Sequence, residues 1–75
     1  MTLSEIPLLA PVALTADLPE HGLTRGQMGT VVEFLELEGE HALLVEFTDA
    51  QGRTKAMAPL KPDQLIVLHR GSEAA

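Results

Sequence analysis

The chain has no cysteine, no tryptophan, no tyrosine and only two phenylalanines in 75 residues. Lack of cysteine excludes disulfides and any thiolate zinc site, the staples on which chains this short commonly rely. Scarcity of aromatics excludes three recognition modes. A polyproline groove is lined with aromatic rings, a methyl-lysine cage needs two or three, and single-stranded nucleic acid stacks on exposed ones. Basic residues are also few: Lys and Arg number 5 against 11 Asp and Glu, for a net charge of −6. Such a chain repels a phosphate backbone, so nucleic acid is not an expected partner. No apolar run approaches the roughly 20 residues of a membrane span. Met1-Thr2-Leu3-Ser4-Glu5 lacks the basic start of a secretion signal. The expectation is a cytoplasmic protein with no membrane partner.

What is present is a globular composition, 45% apolar, in a length that holds one domain. Prolines at 7 and 11 break up the apolar start, which is expected to pack on the domain rather than form a helix. Val12 to Thr15 reads as a first strand. Asp17 to Met28 is a long loop dense in turn residues, with Leu18 and Leu23 placed to plug one end of the domain. Thr30 to Leu37 and His41 to Thr48 are β-rich and form a hairpin around Glu38-Gly39-Glu40. Asp49 to Gly52 is a turn, Arg53 to Ala58 a fourth strand ended by Pro59, Lys61 to Leu65 a 3₁₀ turn, and Ile66 to His69 a fifth strand. No stretch keeps a 3.6-residue apolar period. Five short strands, a long first loop and a 3₁₀ turn before the last strand predict an all-β fold, a small five-stranded SH3-like barrel. An OB-fold ranks second, since it usually needs a longer helix. Residues 1–10 are then an apolar segment packing on the barrel, 11–69 the barrel domain and 70–75 a flexible tail. The expected core is Val12, Leu14, Val31, Phe34, Leu43, Val45, Phe47, Leu65 and Val67.

The run Pro19-Glu20-His21-Gly22-Leu23-Thr24-Arg25-Gly26-Gln27-Met28-Gly29-Thr30-Val31-Val32 is the most distinctive part of the chain. Further on stand Val45-Glu46-Phe47, Asp49-Ala50-Gln51-Gly52-Arg53-Thr54 and Pro62-Asp63-Gln64-Leu65. Together they resemble the small bacterial family catalogued as domain of unknown function 4926, over roughly residues 11 to 69. The resemblance implies a standalone SH3-like barrel and brings no catalytic residues. More loosely, Gly26-x-x-Gly29-x-Val31 is similar to the glycine spacing of ribosome-associated barrels and of the nitrile hydratase β-subunit barrel domain. Such spacing serves a sharp entry into a bent strand whatever the protein does.

The polar residues do not assemble a reaction centre on paper. His21, His41 and His69 are far apart, and the neighbouring pairs Glu20-His21 and Glu40-His41 point to opposite faces of an extended chain. Ser4 and Ser72 lie in the end segments, away from any activating base. The expectation is no enzyme, no metal and no cofactor.

Charge patterning is more informative. Between Arg25 and Arg53 there is no Lys or Arg, whereas Glu33, Glu36, Glu38, Glu40, Glu46 and Asp49 all fall there. The same hairpin is apolar on both faces, so strict alternation fails and a bulge is expected. Some of Val32, Leu35, Leu37 and Leu44 must face outward. Either Leu3 to Leu9 covers them, or they are a contact surface. These residues nominate a partner-binding surface at Glu33, Leu35, Glu36, Leu37, Glu38 and Leu44, for a basic protein or a second copy of the chain. The alternative site is the long loop, with Glu20, His21, Arg25 and Gln27. The function expected is a small protein-binding module: an antitoxin, an immunity protein or an accessory subunit. An RNA- or ribosome-associated barrel is the alternative, opposed by the charge. A metal-binding or enzyme accessory domain is the third.

Overall fold

The computed structural model describes residues 6–68. It contains strands β1 (Pro11–Leu14), β2 (Met28–Leu37), β3 (Glu40–Thr48), β4 (Thr54–Leu60) and β5 (Leu65–Val67). A 3₁₀ turn at Pro19–His21 follows β1 and another at Pro62–Gln64 precedes β5; the described residues contain no α-helix. All pairings are antiparallel, in the order β4-β3-β2-β1-β5. The fold is therefore all-β, as the strand-rich pattern predicts. The sheet is not closed into a barrel: among the described residues no ladder joins β4 to β5. β5 is three residues long and β4 carries Pro59, so neither free edge is suited to a closing ladder.

The open sheet still encloses one core. Val12 and Leu14 from one end pack in the same buried cluster as Leu43, Val45 and Phe47 from the other. β2 makes this bend possible, since it pairs with β1 through Met28–Thr30 and with β3 along its length. Its register slips between Val31 and Glu33, the bulge that the broken alternation predicts. Gly29 sits at the bend with no room for a side chain over Val45 and Phe47.

Two expectations are corrected. Phe34 is not core but 46% exposed. It stands opposite buried Leu43, on the inner face, but β1 flanks β2 only as far as Thr30, so nothing paired to β2 closes over the ring. Pro59 does not end the fourth strand, which runs on to Leu60. The ladder bonds of β3 and β4 pass through Leu43–Leu60 and Val45–Ala58, which leaves the Pro59 nitrogen on the free edge, where no donor is required. Val67 is only partly buried against the core.

Three connections show how local sequence sets local geometry. Glu38 and Gly39 have φ of 51° and 80°, and Leu37 pairs with Glu40. That is a two-residue type I′ turn, the form whose twist matches the strands. In the long loop, Leu18 and Leu23 exchange backbone bonds of 2.9 and 3.1 Å and are both buried, with Leu23 only 1% exposed. They plug the domain as their position predicts. Ahead of β1, Ile6 and Ala10 are buried, and Leu9 N–H donates to the Val31 carbonyl at 2.7 Å. Leu3, Ser4, His69, Ser72 and the 70–75 tail lie outside the described residues.

Candidate functional site

The most distinctive motifs turn out to be spent on the fold. In Pro19-Glu20-His21-Gly22-Leu23, Pro19 opens the 3₁₀ turn, Gly22 closes it at φ 70°, and Leu23 enters the core. In Asp49-Ala50-Gln51-Gly52-Arg53-Thr54, the Asp49 carboxylate accepts from the backbone N–H of Gln51 and of Arg53, both at 2.9 Å. Gly52 supplies φ 83°, and the Thr54 hydroxyl donates to the Glu46 carboxylate. In Pro62-Asp63-Gln64-Leu65, the Gln64 side chain accepts from Lys61 N–H at 2.8 Å. A motif that builds turns needs no ligand to explain it, so the candidate site must be sought among side chains left over by these roles.

The loop site does not form a constellation. Glu20, His21 and Arg25 are exposed and Gln27 is half-buried. Gln27 accepts from Thr24 N–H at 3.2 Å, and Arg25 N–H donates to Asp17 at 2.8 Å. These bonds hold the loop to itself. Beside the second 3₁₀ turn lies an open depression of about 550 Å³ lined by Thr15, Glu40, His41, Lys61, Asp63 and Leu65, among others. Three of its polar side chains, Thr15, Glu40 and Lys61, are already engaged. Lys61 Nζ meets Glu40 Oε1 at 2.8 Å, and Thr15 Oγ donates to the Asp63 carbonyl at 3.2 Å. Lys61 holds the Glu40 carboxyl below its ordinary range, and Glu40 raises Lys61 in return. Among the described residues no three His, Asp or Glu side chains gather as a metal site.

The hairpin behaves differently. Side chains opposite one another across a ladder share a face. Leu43, Val45 and Phe47 face the core, so Ala42, Leu44 and Glu46 stand on the opposite face, where Ala42 is itself buried and Leu44 and Glu46 half-buried. Their partners place Glu33 and Leu35 beside them, with Leu37 next along the strand, and Met57 and Pro59 on the β4 side. Leu37, Met57 and Pro59 are exposed, and Leu35 and Leu44 half-buried. Glu33, Leu35, Leu37 and Leu44 are thus brought together on the outer face of β2, β3 and β4. Glu36 is separated from them, since it pairs with His41 on the inner side. Glu38 stands at the turn. Met57 and Pro59 join the patch through pairing across β3, which no local pattern in Thr54–Leu60 reveals. The acidity is also less one-sided than in the sequence, because the fold brings Lys61 to Glu40. Ile6 turns into the core rather than lying over these leucines.

The fold and this surface define a small all-β protein with an apolar outer sheet face rimmed by carboxylates. A family model described as "Domain of unknown function (DUF4926)" matches residues 8–67, most of the chain, and the protein belongs to that family. No curated protein and no solved structure matches it. No helix among the described residues is long and apolar enough to cross a membrane.

Proposed function

We propose that this protein is a non-enzymatic, protein-binding module with an SH3-like architecture, and that the outer face of β2, β3 and β4 is its contact surface. The strand order β4-β3-β2-β1-β5, with a bent β2 and a 3₁₀ turn before β5, supports the SH3-like reading. The observation that carries the function is the outer patch of Leu35, Leu37, Leu44 and Met57, beside Glu33 and Glu38. An apolar centre with an acidic rim suits a partner with an apolar centre and a basic rim. The net charge of −6 disfavours RNA. An antitoxin, an immunity protein or an accessory subunit would each use such a surface, and the loose resemblance of the glycine spacing to nitrile hydratase β-subunits bears on fold alone.

The test is capture by the tagged protein, with the captured chain identified and its affinity measured against salt. Leu44→Lys should abolish capture and leave the circular dichroism unchanged. Glu33→Lys with Glu38→Lys should slow association and flatten its salt dependence. Light scattering separates a basic partner from self-pairing, since a heterotypic site leaves the isolated protein monomeric. A Leu44→Lys variant that binds the same partner unchanged refutes the surface.

A further inference from the structure

β2 is longer than its neighbour on one side. β1 pairs with Met28–Thr30 only, and Leu9 and Ala10 extend that pairing to Val31. Beyond Val31 no described residue pairs with this edge of β2.

The direction of the main-chain groups along that edge follows from the ladder. Val31 turns its N–H and C=O away from β3, toward Ala10 and Leu9. At the other end, Leu37 and Glu40 flank a two-residue turn, so they exchange bonds with each other. Counting back, Leu35 bonds toward β3, while Phe34 and Glu36 turn their main chain away. Val31 and Phe34 both turn their main chain away from β3 although they stand three positions apart, an odd number. The extra residue of the bulge between Val31 and Glu33 accounts for this. The N–H and C=O of Phe34 and of Glu36 therefore line an open half-edge, next to a phenylalanine ring that is itself exposed.

The other two edges are defended. On β4, Pro59 stands where an outward N–H would be, and Lys55 occupies the register slip near the strand's start. β5 is three residues long. The half-edge of β2 has neither a proline nor a lysine.

We infer that the partner docks by adding an extended segment to this half-edge of β2, pairing with Phe34 and Glu36, and that the segment carries apolar and basic side chains on both of its faces, as a repeat of two apolar and two basic residues does. This rests on the protein-binding reading above and names the mode of contact. Strand addition takes affinity from main-chain bonds and specificity from alternate side chains. An added strand would find Phe34 and Glu36 on one face, and Glu33, Leu35 and Leu37 on the other. The first face offers one apolar and one acidic neighbour, the second two apolar and one acidic. A basic segment neutralises both charges, and a second copy of this chain does not, because its own Val32–Leu37 edge brings two more glutamates and no basic residue.

The experiment uses the whole protein, with short synthetic peptides as probes. One repeats the unit Val-Val-Lys-Lys, the other Val-Val-Glu-Glu, so that each strand face carries both residue types. The valine–lysine peptide should shift the amide resonances of Phe34 and Glu36 and slow their hydrogen exchange; the valine–glutamate peptide should not. Glu36→Pro removes an outward donor without breaking a ladder bond, as Pro59 already does on β4, and should weaken binding at least about tenfold. Glu36→Lys keeps the backbone intact and should reverse the preference between the peptides, so the inference stays testable even if the proline variant misfolds. Failure of the valine–lysine peptide to bind, or shifts confined to β4, β5 or the outer face, overturns strand addition. If Leu44→Lys abolishes capture of the natural partner while Glu36→Pro and Glu36→Lys do not affect it, the protein-binding reading stands and this mode alone falls.

Discussion

Gly29→Ala is the substitution on which local propensity and tertiary packing disagree most sharply. By propensity it should help. Alanine restricts the unfolded chain more than glycine does, and at a compatible position this stabilises by roughly 0.4–1 kcal/mol. Gly29 has no positive φ to forbid it. The packing says otherwise. A Cβ at Gly29 would lie 2.7 Å from Val45 Cγ1, 2.9 Å from the Glu46 carbonyl oxygen and 2.9 Å from Phe47 Cδ1. Val45 and Phe47 are fully buried, and the carbonyl belongs to the neighbouring strand, so no flexible end is free to give way. Overpacking of this kind costs about 1–3 kcal/mol, and three contacts with a backbone atom among them place it at the upper end. Subtracting the unfolded-state gain leaves a net loss of about 2 kcal/mol. In a domain this small that lowers Tm by about 8–16 °C. Thermal and urea melts followed by circular dichroism read it directly. Val45→Ala removes one of the clashing atoms, so the double variant should lose less than the sum of the two single losses. A Gly29→Ala protein as stable as the parent, or more stable, would refute the view that this glycine exists for close approach.

Other expectations concern the turns, the loop and pH. Glu38 holds φ 51°, a region that costs a non-glycine residue roughly 1–2 kcal/mol; Glu38→Gly should raise the urea midpoint, and Gly39→Ala should lower it. Leu18→Ala and Leu23→Ala should each cost about 2–4 kcal/mol in equilibrium unfolding, whereas His21→Ala and Arg25→Ala, at exposed side chains, should change stability by less than about 0.5 kcal/mol. Asp49→Ala leaves two turn N–H groups without their acceptor and should cost about 1–2 kcal/mol, measured in the same way. The Lys61–Glu40 pair holds the Glu40 carboxyl below its ordinary range. A depressed carboxylate contributes stability above its unfolded value and loses it as pH falls through the folded one. The small difference between parent and Glu40→Gln should therefore be present near neutrality, begin to shrink below about pH 4.3 and vanish once pH has fallen through the lower folded value.

Much of this protein is written locally. Alternation in Leu43 to Phe47, the turn residues of Asp49 to Gly52 and Pro62 ahead of Asp63 each specify their own strand or turn, because side-chain period and backbone preference act within a few residues. The acidity of Glu33 to Glu46 and the want of aromatics and cysteine bounded the possible partners with no fold in hand. What the chain could not state locally was which faces and edges stay uncovered. Phe34 reads as core and is on the core face, yet it is half exposed because β1 stops at Thr30. Pro59 reads as a terminator and is tolerated because β4 is an edge. Glu36 lies beside Leu35 and Leu37 in sequence and across the sheet from them in space, whereas Met57 and Lys61 come to the hairpin from the far side of β3 or from beyond β4. Coverage depends on where a strand's neighbours begin and end, and those limits are set by pairings between residues distant in sequence.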